Sequence, residues 1–366
     1  MRAALLEPGK RPLAVVDDVD IEEPRAGEVL VAVSNCGVCH SDLSFVNGTM
    51  PVATPTVLGH EAAGVVDAVG PGVTELAVGD KVVLTPIAAC NECYWCVRGE
   101  YGCCVNSMAV MTAALPDGRT GLSRGGQTVG RGVGLGAFAE RVITPVSGAI
   151  KVADDTPLEI ACVIGCAVQT GVGAVLNTTR VPEGATVLIM GAGGIGISIL
   201  QGAQLAGAAQ IIVADPVEER RDTAKRFGAS AVLDPATGDV VAGVQRLTSG
   251  VGVDYAFDAV GAGPVIETCI AATRRGGTTT MVGAGGIDQT VTLAPPLLFS
   301  VAEKKLVGCL LGGSNGRREI PRLLALWRAG RLDLEGLITH RRPLAEINEA
   351  LADMSAGRGL RTVLSM

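Results

Sequence analysis

Residues 186–196 have the sequence TVLIMGAGGIG, and they indicate how the second half of the chain folds. Thr186–Met190 is almost continuously apolar, which is typical of a buried strand, and residues 194–206 follow with the pattern of a helix. Downstream the same rhythm continues with a strand at 210–214, a charged amphipathic helix at 217–227, and strands at 253–258 and 278–282. Strands that alternate with helices predict an α/β fold with a doubly wound parallel sheet.

The turn between the first strand and its helix supports a first functional hypothesis. It contains glycines at the spacing of a nucleotide-binding turn, namely Gly191, Gly193, Gly194 and Gly196. Small residues let the backbone approach a pyrophosphate, and the N-terminus of the following helix meets the negative charge. Asp215 ends the next strand, where a carboxylate accepts hydrogen bonds from a ribose. The combination predicts a dinucleotide site, with an ordinary glycine-rich turn as the alternative.

Charged residues near this turn bear on the choice of coenzyme. Asp215 would repel a 2′-phosphate, so the sequence favours NAD over NADP. Arg220 and Arg221 support the opposite interpretation, in which they bind that phosphate. We expect these arginines instead to pack beside the adenine or to lie on a solvated helix face.

Length and composition restrict the class of protein. A chain of 366 residues, 48% hydrophobic and 18% charged, predicts two folded domains rather than disorder. A net charge of −7 without a basic run argues against a nucleic-acid partner. The uncharged stretch 185–214 has the length of a membrane span, but its glutamines and glycine turn favour a buried strand–helix–strand unit and no membrane partner. We see no secretory signal and expect a cytoplasmic protein.

The first part of the chain has a different pattern. Up to about residue 165, short strands such as 28–33 and 62–69 alternate with turns at Pro71-Gly72 and Gly79-Asp80. After about residue 315, helices are predicted around 321–329 and 344–354, followed by a final strand at 361–364. The pattern predicts short strands before the parallel sheet and leaves open which domain the tail joins.

Four of the 11 cysteines lie close together, at Cys90, Cys93, Cys96 and Cys104. In the absence of a secretory signal, clustered cysteines favour metal binding over disulfides. Their spacing is typical of a closed tetrahedral thiolate site and predicts structural zinc. An iron–sulfur cluster is the alternative, because the run resembles the first ligands of a ferredoxin, although no second cluster follows. The spacing also leaves Cys103 as a rival to Cys104.

A second set of metal-ligating residues is dispersed along the chain. It comprises Cys39, His60 with the adjacent Glu61, and Cys166. A lone histidine is usually a satisfied core or surface residue, but His60 follows a glycine and a Cys-His pair precedes it at 39–40. Two thiolates and one imidazole would leave the fourth position of a zinc ion for water or an alcohol oxygen. This set predicts a catalytic metal site.

Several motifs together resemble the zinc-containing medium-chain alcohol dehydrogenases. Besides the cysteine lobe and the glycine turn, they are GVCHSD at 37–42, GHEAAG at 59–64, VGPGV at 69–73, GC at 165–166, QTG at 169–171 and LRT at 360–362. They occur in the family's order over essentially the whole chain. The long segment between Cys104 and Phe138 is similar to the long-form subgroup that includes the class I and the glutathione-dependent class III enzymes.

The resemblance implies a domain organisation. A mainly-β, GroES-like catalytic domain would comprise residues 1–167 and 311–366, with the cysteine lobe at about 90–104. A Rossmann domain at 168–310, with its doubly wound sheet, would be inserted between these parts and bind NAD. The expected cofactors are NAD and two zinc ions per chain, and we expect a homodimer or a homotetramer.

The resemblance also assigns the metal ligands. Cys39, His60 and Cys166 match the ligands of the catalytic zinc, and Glu61 matches a residue in its near surroundings. Asp42 matches the acceptor that orients His60. Cys104, rather than Cys103, matches the fourth ligand of the lobe.

Further matches concern the coenzyme and the proton. His40 and Arg361 match positions that face the NAD pyrophosphate, and Thr170 matches one beside the nicotinamide. Ser41 matches the hydroxyl that takes the proton of the alcohol and passes it to the nicotinamide ribose. Ser44 stands where liver-type enzymes have the histidine that ends this relay.

The sequence thus predicts an NAD-dependent zinc alcohol dehydrogenase for a primary, bulky or aromatic alcohol or its aldehyde. Met108 replaces an arginine of the glutathione-dependent relatives, which argues against a glutathione adduct. Approximate matching gives a substrate pocket with small walls, namely Pro86, Ala109, Gly132 and Val133. The alternatives are a thiol-adduct-dependent formaldehyde dehydrogenase, a zinc-free quinone reductase and a non-catalytic protein that binds NAD and zinc. We expect the remaining candidates in the core: Cys36, Cys162, Cys269, Cys309 and His340.

Overall fold

Short strands are the main regular elements of the first 151 residues, as the sequence pattern predicts. The structure is a computed structural model that describes residues 1–9, 12–293 and 295–366. The strands of this part are β1 (Ala3–Leu6), β2 (Ala14–Val16), β3 (Asp20–Ile21), β4 (Glu28–Gly37), β5 (Thr56–Val57), β6 (Glu61–Val69), β7 (Lys81–Leu84), β8 (Leu122–Arg124), β9 (Gln127–Thr128), β10 (Gly130–Arg131), β11 (Arg141–Pro145) and β12 (Ala149–Lys151). The α-helices up to Ala167 are α1 (His40–Asn47), α2 (Ala109–Thr112) and α3 (Leu158–Ala161).

The second unit, Val168–Gly313, contains the predicted parallel sheet. Helix α4 (Ala167–Gly173) leads into it. Its strands are β13 (Thr186–Met190), β14 (Gln210–Ala214), β15 (Ala231–Leu233), β16 (Val253–Asp258), β17 (Thr273–Met281) and β18 (Lys305–Gly308). Its further helices are α5 (Gly194–Leu205), α6 (Glu218–Arg226), α7 (Val240–Leu247), α8 (Gly263–Ala272) and α9 (Pro296–Val301). The strand order β15-β14-β13-β16-β17-β18 reverses between β13 and β16, and ligands bind at such switch points in open α/β sheets.

The C-terminal segment, Ser314–Met366, belongs to the first unit together with Met1–Ala167. It contains α10 (Gly316–Arg328), β19 (Ile338–Pro343), α11 (Ile347–Ser355) and β20 (Arg361–Ser365). Strand β20 pairs antiparallel with β4, placing Val363 opposite Gly37. Within the described residues this gives the order β12-β7-β6-β4-β20-β19, with β11 also on β4, and smaller sheets β10-β5-β1-β2 and β3-β8-β9. The predicted fold class, a doubly wound parallel sheet with a mainly-β unit, is confirmed.

Each unit has its own apolar core. In the first unit, Leu58, Leu84 and Phe138 are fully buried within one cluster. In the second, Leu188 of β13 and Ile212 of β14 are equally buried in a cluster that includes Val244 of α7. The helices of the second unit therefore bury apolar side chains against the sheet, as a doubly wound fold requires.

Two residues assigned to the core are not fully buried. Cys36, Cys162 and Cys269 are buried as predicted. Cys309 is half-buried because it follows the edge strand β18, and its sulfur lies 3.4 Å from the Thr178 hydroxyl. His340 is also half-buried, because β19 is an edge strand, and its Nδ1 lies 3.1 Å from the hydroxyl of the neighbouring Thr339.

The uncharged stretch 185–214 is divided between β13, α5 and β14, which agrees with the strand–helix–strand interpretation. Across the part of the chain that the structure describes, no single helix is long and apolar enough to cross a membrane. One bent pair of helices, Leu158–Gly165 and Ala167–Thr179, meets the criteria of length and composition only.

Candidate functional site

One buried carboxylate, that of Asp42, joins two segments of the candidate catalytic site. Cys39 immediately precedes α1, and its backbone N–H donates to Asp42 Oδ2 over 3.1 Å. Asp42 Oδ1 accepts from Gly59 N at 2.9 Å and lies 3.3 Å from His60 Nδ1. The side chain of Asp42 is fully buried, so it fixes the turn at Cys39 and the turn at His60 relative to each other.

The predicted ligands Cys39, His60 and Cys166 come together. Their donor atoms and a carboxylate oxygen of Glu61 all lie within 4.8 Å of one another. His60 Nε2 is buried and has no hydrogen-bond partner among the described residues, whereas Nδ1 faces Asp42. A buried nitrogen without a partner is costly unless a further group binds it, and two thiols and an imidazole are donors that zinc prefers. The residues therefore fit a metal ion.

The electrostatics of this group favour a bound cation. A hydrogen bond from Cys166 and the positive charges of His60 and Arg361 hold the pKa of Cys39 well below its ordinary value despite burial. Burial lowers the pKa of His60, but the charges of Asp42 and Cys39 raise it well above its ordinary value. A metal ion would replace these protons, since metal binding to thiolate and imidazole releases them.

Glu61 and Arg361 form a buried pair beside these donors. Arg361 Nη1 lies 3.2 Å from Glu61 Oε1, without the geometry of a hydrogen bond, and donates to the carbonyl oxygen of Val38 at 3.0 Å. Burial raises the pKa of Glu61 to about 8 although Arg361 opposes this. A Cβ atom on Gly37 would overlap the Glu61 carboxylate, so a larger residue there would displace this carboxylate. Arg361, expected to face a pyrophosphate, is only 4% exposed and touches the metal-ligand group.

Helix α1 contains the two serines of the predicted proton path, and it begins at His40. Ser41 is half-buried, and its hydroxyl lies 3.6 Å from Cys39 Sγ. Ser44, one turn further, is also half-buried, and His40 is exposed at the start of the helix. The structure thus places Ser41 beside a predicted metal ligand.

The cysteine lobe brings together Cys90, Cys93, Cys96 and Cys104. Their sulfurs lie 3.6 Å apart for Cys90 and Cys104, 3.9 Å for Cys90 and Cys96, and 4.0 Å for Cys93 and Cys104. Zinc–sulfur bonds of about 2.3 Å in a tetrahedron separate the sulfurs by about 3.8 Å, so these distances suit a single ion. An iron–sulfur cluster would hold its thiolates further apart, because several irons and sulfides lie between them. Cys103 is exposed and outside the group.

The segments predicted to line a substrate pocket are adjacent. Gly134 follows Val133 in the chain. A Cβ atom built on Gly134 would lie 3.3 Å from atoms of Ala109 and from the carbonyl oxygen of Pro86. A Cβ atom on Gly132 would lie 2.6 Å from Leu58 Cδ2, and Leu58 precedes His60 by one glycine. The expected wall is therefore contiguous with the turn that carries His60. Met108, by contrast, is 60% exposed.

The predicted nucleotide-binding turn in the second unit has the expected local structure. Gly191 has a φ of 95°, and a Cβ atom on Gly196 would overlap the carbonyl oxygen of Gly191, which lets α5 approach β13. Gly193 precedes α5, and no atom lies within 4 Å of a Cβ built on it. An open approach to the N-terminus of a helix fits a pyrophosphate.

Asp215 and the two arginines lie together after β14. Asp215 is 3% exposed and accepts from Ala192 N and Val217 N, both at 2.8 Å. Arg220 lies 4.0 Å from Asp215, and Arg221 donates to the carbonyl oxygens of Asp215 and Pro216 at 2.8 Å. Their side chains are 18% and 15% exposed, which argues against the solvated face and leaves packing beside the adenine as the prediction. Thr170, expected beside the nicotinamide, is buried in α4.

Sequence reasoning missed several buried charged residues, of which Arg131 and Asp258 are fully buried. Arg131 is fully buried, and its guanidinium donates to the carbonyl oxygens of Thr120 and Ile143, which ties the segment before β8 to β11. Asp258 is fully buried at the end of β16. An acid that closes an apolar strand, followed by Ala-Val-Gly, was the available signal for Asp258. Arg131 lies between two glycines, and no sequence pattern indicated that it is buried.

Comparisons with known proteins agree with this geometry. Residues 25–154 match the alcohol dehydrogenase GroES-like domain, and residues 194–328 match the zinc-binding dehydrogenase family. An NDMA-dependent alcohol dehydrogenase of Amycolatopsis methanolica is 35% identical over 365 residues, which cover 99% of this chain and 98% of the relative. An S-(hydroxymethyl)glutathione dehydrogenase of Haemophilus influenzae is 36% identical over 371 residues, covering 99% and 96%.

A solved structure extends the comparison to three dimensions. The crystal structure of benzyl alcohol dehydrogenase from Acinetobacter calcoaceticus superimposes with a TM-score of 0.93 at 30% identity, covering 100% of this chain and 99% of that one. Since the family matches and the full-length relatives agree, the chain is an oxidoreductase that belongs to the zinc-containing medium-chain alcohol dehydrogenase family.

Proposed function

We propose that this chain transfers a hydride between a primary, bulky or aromatic alcohol or its aldehyde and NAD. One zinc ion would be held by Cys39, His60 and Cys166, and a second by the cysteine lobe. The observation that carries the proposal is the buried His60 Nε2, which has no hydrogen-bond partner in the described part of the chain and points among two thiols. Three protein donors leave a fourth position for the substrate oxygen, as in catalytic zinc sites.

In such a site zinc supplies Lewis acidity and NAD supplies the hydride acceptor. Asp42 holds the His60 ring through Nδ1, which leaves Nε2 for the metal. Ser41, whose hydroxyl lies 3.6 Å from Cys39 Sγ, takes the proton of the alcohol. Because Ser44 does not titrate near neutral pH, the proton passes from Ser41 to water rather than to a histidine.

Metal analysis combined with steady-state kinetics tests the proposal. We expect two zinc equivalents per chain, and NADH formation when the purified protein receives a primary alcohol and NAD. One zinc equivalent with the lobe filled, and no turnover with any alcohol, would identify a non-catalytic protein instead. Turnover of a quinone without zinc in the first site would favour a quinone reductase.

The identity of the electron acceptor calls for a second assay. The relative from Amycolatopsis methanolica is NDMA-dependent, and this chain is 35% identical to it. Each alcohol should therefore be assayed with soluble NAD alone and with NDMA as the acceptor. Turnover that requires NDMA, and none with NAD alone, would replace soluble NAD by NDMA as the oxidant in the proposal.

Removing the carboxylate of Asp215 should shift the coenzyme preference. Asp215→Gly removes a negative charge and leaves Arg220 and Arg221 beside the strand end. The ratio of kcat/KM for NAD to that for NADP should fall at least about tenfold, equivalent to ~1.4 kcal/mol. Asp222→Ala is the control, since Asp222 pairs with Lys225 on the exposed side of α6. An unchanged ratio in Asp215→Gly would show that Asp215 does not face the ribose.

Bulky primary alcohols should be better substrates than ethanol. Small residues at the predicted wall leave volume, and an apolar pocket gains about 0.8 kcal/mol for each buried methylene. Octanol and benzyl alcohol should therefore have higher kcat/KM than ethanol, measured under identical conditions. Hydroxymethylglutathione should be poor, because Met108 provides no charge for its carboxylate. If ethanol or the glutathione adduct proves best, the assignment of the wall is wrong.

A further inference from the structure

Three loops at the carboxyl edge of the parallel sheet are in close contact. A Cβ atom on Gly285 would overlap the carbonyl oxygen of Gly261, and one on Gly283 would overlap the amide nitrogen of Gly261. A Cβ atom on Gly191 would lie 2.8 Å from Val260 Cγ2. The loop 259–261, which follows β16, is thus wedged between the nucleotide-binding turn after β13 and the loop after β17. Any shift of this middle loop would displace both of its neighbours.

The side chain of Asp258 holds the middle loop in place. Asp258 is the last residue of β16, and its Oδ1 accepts hydrogen bonds of 3.0 Å from Val260 N and Gly261 N. Its Oδ2 also lies 3.0 Å from Gly261 N. Its main-chain carbonyl oxygen accepts from Val282 N and Gly283 N, both at 3.0 Å. One residue therefore binds the loops after β16 and β17 to each other.

This carboxylate is buried without a counter-ion. Among the residues that the structure describes, no arginine, lysine or histidine contributes to its electrostatics, and burial raises the pKa of Asp258 although the two backbone N–H groups oppose this. A buried carboxylate is unfavourable, and an apolar side chain could fill the same space. The advantage of an acid at this position is the specific conformation that it imposes on residues 259–261.

We propose that Asp258 is a positioning residue for the dinucleotide. It lies at the switch point between β13 and β16, where open α/β sheets bind their ligands. By holding Val260 and Gly261, it sets the distance between the nucleotide-binding turn and the loop 283–285. The inference rests on the proposed use of NAD by the second unit.

Asp254, near the start of the same strand, provides a matched control. Its Oδ2 accepts from Thr186 N and Thr186 Oγ1, both at 2.8 Å, and its Oδ1 accepts from Arg274 Nε at 2.6 Å. It is therefore bonded to the protein at least as firmly as Asp258. It lies at the amino edge of the sheet, far from the three loops, so its loss should affect stability alone.

The experiment compares full-length, zinc-loaded wild type with Asp258→Asn and Asp254→Asn. Both variants lose a charged acceptor of equal size, and both should lower the melting temperature. Only Asp258→Asn should raise the Kd and KM for NAD, by about tenfold or more, because a neutral amide binds Val260 N and Gly261 N less strongly and its NH2 group would face the N–H of Gly261. The zinc content of both variants and their kcat at saturating NAD should stay within about threefold of wild type.

Each outcome decides the question. An NAD affinity of Asp258→Asn within about twofold of that of Asp254→Asn would overturn the positioning role. If wild type turns over alcohols without binding NAD, the proposed coenzyme is wrong, and the inference falls with it. Where Asp258→Asn yields no folded protein, Asp258→Glu and Asp254→Glu replace the pair, with the same expected order. In Asp258→Glu the carboxylate is displaced by one methylene. If this variant binds NAD as wild type does, the proposal is also contradicted.

Discussion

Changing Cys166 to serine should nearly abolish turnover while leaving the fold and the lobe metal in place. Cys166 follows Gly165, and a Cβ atom on that glycine would overlap the carbonyl oxygen of Leu84, so the local backbone is fixed against β7. A serine hydroxyl keeps this backbone but does not provide a thiolate for zinc. If the missing Lewis acid is worth ~4 kcal/mol in the transition state, kcat/KM should fall about a thousandfold.

Cys162→Ser is the control for this variant. Cys162 is fully buried and close in sequence, but its thiol donates to the carbonyl oxygen of Glu159 and it is outside the group of metal-ligating residues. Its substitution should retain both zinc equivalents and nearly all activity. Zinc analysis, circular dichroism and steady-state kinetics on both variants make the comparison. Full activity in Cys166→Ser would remove Cys166 from the catalytic site.

Four of the six strands of the parallel sheet could be predicted, whereas β15 and β18 were not. Thr186–Met190, Gln210–Ala214 and Val253–Asp258 have the predicted bounds, because strands covered on both faces are largely apolar and end at turn residues. β17 begins at Thr273, earlier than the predicted residue 278. Its first residues, TRRGG, are polar or glycine, and only pairing with β16 makes them a strand. Tertiary pairing overrides local propensity there.

The position of the tail could not be predicted from local pattern. Residues 361–364 have the pattern of a strand, but their partner β4 lies more than 300 residues earlier. The pairing brings the backbone of Thr362 to that of Val38, with Val38 N donating to Thr362 O at 2.9 Å. It thereby places Arg361 beside Glu61, a contact that only the folded sheet creates.

Within the site, spacing alone did not resolve every residue. Cys103 and Cys104 are adjacent, and the choice between them depends on which side chain the backbone turns toward the lobe. The solvated face, one of the two environments expected for Arg221, does not fit for a similar reason. Its guanidinium folds back onto the carbonyl oxygens of Asp215 and Pro216, a local contact that helical periodicity does not reveal.

Changing Cys93 to serine should instead lower stability, with its effect concentrated in the cysteine lobe. The lobe has little apolar core of its own: Ala89, Cys96 and Cys104 are buried there, whereas Tyr94, Trp95 and Val97 are exposed. Backbone hydrogen bonds from Val105 and Cys96 lower the pKa of Cys93 to about 6, which favours the thiolate that a metal needs. Closed zinc sites contribute folding free energy directly, with apparent binding free energies of about 10–16 kcal/mol in zinc-finger peptides.

Cys103→Ser is the matched control for the lobe, because Cys103 is exposed and adjacent to a predicted ligand. Cys93→Ser should lose one zinc equivalent, become sensitive to limited proteolysis within residues 90–108 and melt at a lower temperature. Cys103→Ser should match wild type in all three measurements. Release of the metal by Cys103→Ser, but not by Cys93→Ser, would show that the lobe uses a different set of four thiols. Iron and sulfide in the wild-type protein would exclude zinc there, because the four sulfurs enclose only one metal site.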